Sequence, residues 1–120
     1  MAYLWTTYSV YDLDKTAAFF ETLLGMHILR QMKTPHHEMY FMGFGEKSET
    51  CLELIKAEPG KVDTCSSLSM GFGVPDLKAA METAKAIGAP CTGIISPAPG
   101  VEFCFVEDPN GMRIQLFVEN

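Results

Sequence analysis

Cationic residues, histidine, paired-cysteine motifs and long apolar runs are all scarce in this sequence, and each scarcity removes a class of function. Nine lysines and arginines stand against fifteen aspartates and glutamates, a formal net charge of −6. Affinity for nucleic acid comes from cations that displace counterions from phosphate, so no nucleic-acid partner is expected. The four cysteines, Cys51, Cys65, Cys91 and Cys104, show no CxxC spacing and no pairing with histidine in sequence. A zinc ribbon and a thioredoxin-type motif are therefore excluded, and the cysteines read as reduced, mostly structural thiols. No apolar run approaches the length that spans a bilayer. The chain also opens in a strand pattern, not with a basic region followed by an apolar block. The expectation is a cytoplasmic protein with no membrane partner.

What is present is a chain of 120 residues, 48% of them hydrophobic, enough for one domain that buries its own core without disulfides or a structural metal. Tyr3 to Val10 is rich in β-branched and aromatic residues and predicts a strand. Asp12 or Asp14 can cap a helix whose apolar face is Ala17, Phe20, Leu23 and Leu24, with Gly25 as its stop. Three strand-like pieces follow, Met26 to Lys33, Glu38 to Phe44 and Thr50 to Lys56. A polar stretch, 58–65, reads as a linker. The order then repeats: a strand from Ser67 to Val74, a helix opened by Pro75-Asp76 with Leu77, Ala80, Met81, Ala84 and Ile87 on one face, a stop at Gly88, and strands over Cys91 to Ile95, Glu102 to Glu107 and Arg113 to Val118. The last two strands are joined by Asp108-Pro109-Asn110-Gly111, where Asn110 and Gly111 tolerate the backbone a tight turn needs. Each half is thus strand, helix, strand, strand, strand, with module one over 1–57 and module two over 66–120.

Strand alternation separates two faces. Leu52 and Leu54, then Leu68, Met70, Phe72 and Val74, then Ile114, Leu116 and Val118 fall on one parity and predict a core under the helices. Trp5, Thr7, Cys51, Glu53, Ser67, Ser69, Gly71, Arg113, Gln115 and Phe117 fall on the other. Aromatic surface with a few polar groups is the usual lining of a small-ligand pocket. A one-residue slip of any of these strands would exchange the two faces.

The runs SVYDLDKTAAFFETLLGM, CLELIK, GFGVPDLKAAMETAKAIGA and FVEDPNGMRIQLF together resemble the vicinal-oxygen-chelate superfamily, the group of glyoxalase I, bleomycin- and fosfomycin-resistance proteins and extradiol dioxygenases. The resemblance covers essentially the whole chain. It implies an α+β fold of two βαβββ modules forming a cupped mixed sheet, with a small-molecule site inside the cup and a homodimer as the usual assembly. In metal-dependent members one ligand comes from each of four strands, and the matching positions here are Trp5, Glu53, Ser69 and Gln115. An indole cannot ligate, and Ser69 and Gln115 are neutral, weak donors, so neither a catalytic metal nor another cofactor is expected.

The individual residues then carry alternative readings. Trp5 is either a stacking platform for a planar ligand or a plug filling the vacated metal position. Glu53 is either a general base, acting beside a carbonyl among apolar walls such as Trp5 and Phe117, or the partner of Arg113. Ser69 and Gln115 read as hydrogen-bonding groups for a ligand or for Glu53, and Thr7, Cys51, Arg113 and Phe117 as lining. No histidine is placed to activate Cys51. His36 and His37 sit beside Pro35 in a turn. The leading expectation is a metal-free protein that binds a planar or partly apolar small molecule. The alternative is a divergent metal-dependent lyase or isomerase that uses Glu53 with a histidine from that loop or from a partner subunit.

Overall fold

The computed structural model describes residues 1–45, 49–58 and 60–118, and the pieces of the turn and linker at 46–48 and 59 lie outside them. The chain divides into two compact units, Met1–Asp63 and Thr64–Asn120. The first contains β1 (Thr6–Val10), α1 (Leu13–Leu24), β2 (His27–Lys33), β3 (Glu38–Gly43) and β4 (Thr50–Lys56). The second contains β5 (Ser69–Val74), α2 (Leu77–Ala86), β6 (Ile95–Ala98), β7 (Val101–Glu107) and β8 (Arg113–Val118). Each unit is one four-stranded sheet, in the orders β1-β4-β3-β2 and β5-β8-β7-β6. The first strand of each runs parallel to the last, and the remaining pairs are antiparallel.

Both helices begin on an aspartate. Asp12 accepts the backbone N–H of Lys15 at 2.9 Å and Asp76 that of Ala79 at 3.1 Å, which satisfies a donor that the helix itself leaves unpaired. Gly25 closes α1 by donating its N–H to Glu21 at 3.0 Å. The buried stripe of α1 is Leu13, Thr16, Ala17, Phe19, Phe20 and Leu23. It packs on β2, β3 and β4. Leu24 is only half-buried because it has turned off that stripe. The buried set of α2 is Leu77, Ala80 and Ala84, and Ile87 stands 40% exposed past the helix end.

The buried parity of the strands is Tyr8 and Val10 on β1 with Leu52 and Leu54 on β4, and Met70 and Val74 on β5 with Ile114 and Leu116 on β8. Leu54, Ile114 and Leu116 are fully buried, and each such side chain contributes about 2 kcal/mol of transfer free energy. Leu68 departs from the expected parity, at 46% exposure, because β5 begins only at Ser69. β1 likewise begins at Thr6, three residues later than its composition predicts.

The strand expected over Cys91 to Ile95 is displaced. Cys91 makes a single bridge to Val106, and the strand proper is Ile95–Ala98. Pairing of Ala98 with Val101 closes a tight hairpin, and that closure fixes the register in place of the β-branched residues upstream. Gly43 is demanded by crowding, since a Cβ there would lie 2.3 Å from the carbonyl oxygen of Glu49. At the 108–111 turn only Gly111 has positive φ, 85°. Asn110 stays in the ordinary region because the buried Asp108 carboxylate receives the N–H of Asn110 at 2.8 Å, the N–H of Met112 at 2.9 Å and the side-chain amide of Asn110 at 3.0 Å.

Candidate functional site

In the first unit, register builds a row across the sheet on the face away from α1. Thr7 pairs with Glu53, Glu53 with Phe41, and Phe41 with Arg30. The Thr7 hydroxyl donates to Glu53 Oε1 at 2.6 Å, a short bond of the charge-assisted kind. The guanidinium of Arg30 lies 4.2 Å from the Phe41 ring centroid, within cation–π range. The half-buried Trp5 meets the same ring edge-on, with centroids 5.5 Å apart and planes at 82°. Thr7, Glu53 and Trp5 are therefore brought together, and the immediate partner of Glu53 within its own unit is Thr7. Cys51 is half-buried one place from that row and donates to the Glu49 carbonyl at 3.6 Å. Burial pushes its thiol up, assisted by Glu49 and opposed by a backbone bond from Phe44.

The second unit presents a matching face of different chemistry. Ser69 pairs with Arg113, Gly71 with Gln115 and Gly73 with Phe117. Continuing across β8, Gln115 pairs with Phe105, and Phe117 with Phe103. Phe103 stacks on Phe117 at 6.4 Å and 18°, and meets Phe105 edge-on at 5.6 Å and 74°. Arg113 lies 5.1 Å over the Phe105 ring. A groove of about 400 Å³ runs past Arg113, Phe105, Glu107 and Thr92. Ser69 is exposed and Gln115 half-buried. Gly71 leaves the Gln115 amide with no side chain opposite it on β5.

Four residues of these faces were not singled out from the sequence: Phe41, Arg30, Phe103 and Phe105. Met39 to Met42 are all buried, so alternation along β3 carries no signal for Phe41. Arg30 reaches the face through a register shift between Ile28 and Arg30. The extra residue reverses the parity of β2 beyond it. Phe103 and Phe105 share the parity of Glu107 on a strand whose other parity is Cys104 and Val106, and that alternation could have found them.

The donor chemistry at the four ligand positions does not fit a divalent metal. Trp5 offers no lone pair and is packed on Phe41, Glu53 is the one carboxylate, and Ser69 and Gln115 are neutral. Among the described residues no group of three or more His, Cys, Asp or Glu side chains is gathered that could hold a metal ion. His36 and His37 belong to the tip of the β2–β3 hairpin. They line grooves with Lys56, Ala57 and Glu58, several residues along β4 from Glu53 at about 3.3 Å each. Among the described residues no helix is long and apolar enough to cross a membrane.

Two βαβββ units, aspartate-capped helices and a polar sheet face opposite the helix define a class, and the sequence matches its family model over residues 3–116: the chain belongs to the Glyoxalase/Bleomycin resistance protein/Dioxygenase superfamily. Within that class it is similar to the lactoylglutathione lyase of Haemophilus influenzae, 32% identical over 128 aligned positions that cover 100% of this chain and 93% of the relative. A probable lactoylglutathione lyase of Vibrio parahaemolyticus is 31% identical, with 94% of this chain and 87% of the relative covered. Among solved structures, the trypanothione-dependent glyoxalase I of Leishmania major superposes with a TM-score of 0.81 at 25% identity, covering 99% of this chain and 88% of that one. The fosfomycin resistance protein FosX of Listeria monocytogenes shares the fold, with a TM-score of 0.76 at 14% identity and coverage of 100% and 92%.

Proposed function

We propose that this chain is a metal-free, small-molecule-binding member of the superfamily that recognises a planar or partly apolar ligand. Trp5 and Glu53 are its principal recognition groups on the first unit, and Gln115 is the matching hydrogen-bonding group on the second. One observation carries the reading: an indole is held edge-on against Phe41, and Glu53, the cross-strand partner of Phe41, has its carboxylate already engaged by Thr7. Such a surface offers a π-face, a hydrogen-bond acceptor and apolar area, but no cage of anionic donors for a cation. Thr7, Cys51, Ser69, Arg113 and Phe117 line the two faces. If the ligand is turned over, Glu53 is the general base. The assembly is read as a homodimer and its compartment as the cytoplasm.

Trp5 is the only tryptophan in the chain, so its fluorescence reports the proposed platform directly. A panel of planar drugs and metabolites is expected to include compounds that quench it saturably, with affinity at least severalfold weaker in Glu53→Gln. A flat response across the panel overturns the platform. Elemental analysis of protein purified without chelator is expected to show no bound transition metal. Near-stoichiometric nickel, zinc, iron or manganese would replace this reading with a metal-dependent lyase or isomerase; the two bacterial relatives are named as a lactoylglutathione lyase and a probable one.

A further inference from the structure

We propose that Cys91 and Cys104 of the second unit form a redox-responsive pair, in which a hydroperoxide oxidises Cys91 and Cys104 then closes an intrachain disulfide. The two lie thirteen positions apart in the chain with their sulfurs 4.0 Å apart. That proximity is built by backbone pairing. Glu107 donates its N–H to Pro90 at 3.0 Å, Thr92 donates to Phe105 at 2.9 Å, and the Phe105 N–H reaches the Thr92 hydroxyl at 3.0 Å. With the Cys91–Val106 bridge between them, these contacts hold residues 90–92 flat along β7. A disulfide needs sulfurs about 2 Å apart. Rotation about the two Cα–Cβ bonds and a small shift of the exposed 90–92 segment supply the difference, and the sheet stays as it is.

The two thiols differ in access, and the difference assigns their roles. Cys91 is exposed and borders two grooves of the second unit, one of about 500 Å³ beside Met81, Glu82 and Lys85 and one of about 400 Å³ beside Phe105 and Arg113. Cys104 is fully buried, and burial together with the neighbouring Cys91 pushes its thiol up to about 12. A small peroxide therefore meets Cys91 first. Its O–O bond breaks, the Cys91 sulfur becomes a sulfenic acid, and the hydroperoxide leaves as the alcohol, or as water from hydrogen peroxide. The Cys104 sulfur then attacks the Cys91 sulfur, the S–O bond breaks, and the departing oxygen takes up the Cys104 proton as water. One peroxide is reduced and two thiols are oxidised. The product pins the shared wall of both grooves to β7.

Both cysteines fall within one tryptic peptide, Ala86–Arg113, because no lysine or arginine intervenes. Folded protein treated with equimolar hydrogen peroxide, then denatured and alkylated without reductant, is expected to yield this peptide two hydrogens lighter and with no alkylated cysteine. Dithiothreitol should restore both alkylation sites. In Cys104→Ser the expected product is a Cys91 sulfenic acid trapped by dimedone. In Cys91→Ser, a change at an exposed position that keeps the fold testable, the two-hydrogen loss should vanish. The proposal is overturned if Cys91 is carried to sulfinic acid in the wild type without a disulfide. It is equally overturned if Cys51 or Cys65 supplies the dominant crosslink, or if both thiols remain alkylatable.

Discussion

Glu53 and Gln115 hold matching places in the two units: each lies on the last strand, between the first strand and a phenylalanine of the strand before it. Around Glu53 the row reads Thr7, Glu53, Phe41, Arg30, with a hydroxyl–carboxylate bond and a cation over a ring. Around Gln115 it reads Gly71, Gln115, Phe105, with an uncharged amide opposite a glycine. Behind both rows the packing repeats, with Leu54 and Leu116 fully buried and an aspartate capping each helix. The buried parity is held by volume and apolarity and so keeps its character through the repeat. The opposite parity, the buried Phe41 apart, is more open to solvent and is where the two units differ in chemistry.

The largest test asks whether the packing is truly equivalent. Leu54→Ala and Leu116→Ala should each cost about 3 kcal/mol in urea denaturation, and a difference between them above about 1.5 kcal/mol would break the equivalence. Asp108→Ala should cost about 2 to 3 kcal/mol, because it strands buried donors that the carboxylate now receives. Gly43→Ala should cost about 2 kcal/mol through its clash with the Glu49 carbonyl. Gly71→Ala, whose Cβ would meet only Gln115 Oε1 at 3.5 Å, should stay within about 0.5 kcal/mol by the same denaturation curves.

A subtler contrast lies in alkali. The Tyr40 hydroxyl donates to Asp14 at 2.7 Å. That bond, with burial and the surrounding carboxylates, pushes its phenol up from 10.0 to about 12. The folded value is the raised one, so the stabilisation is complete below pH 10 and is lost as pH rises towards 12. Tyr40→Phe should lose on the order of 1 kcal/mol at neutral pH and should show a shallower fall in urea midpoint across that alkaline window. A comparably small effect is expected of Thr7→Val, which deletes the donor to Glu53 and should cost about 0.5 to 1 kcal/mol by thermal denaturation.

The repeat and the full extents of β4 and β8 were legible because Leu52 and Leu54, and Ile114 and Leu116, alternate with less buried residues, whereas the cap of α1 was narrowed only to Asp12 or Asp14, of which the structure uses Asp12. The candidate face was legible only where that alternation held. Glu53 was readable against Leu52 and Leu54, whereas Phe41 was hidden in a strand buried on both parities. Arg30 was hidden by a bulge that reverses the count, and no local signal marks which residue a strand will double at a bulge. The displacement of β6 has a similar origin, since hairpin closure between Ala98 and Val101 outweighs local β-propensity.

In each unit the opening strand finds its place only beside the closing one. Thr7 waits 46 positions for Glu53, so during synthesis β1 remains an unpaired edge until β4 has left the ribosome. From then on the first sheet owns every neighbour its ladder requires, and it can lock before the later half of the message has been read. The duplicated architecture thereby divides one slow, long-range closure into two shorter ones made in sequence, each sparing the chain a wider loop to close.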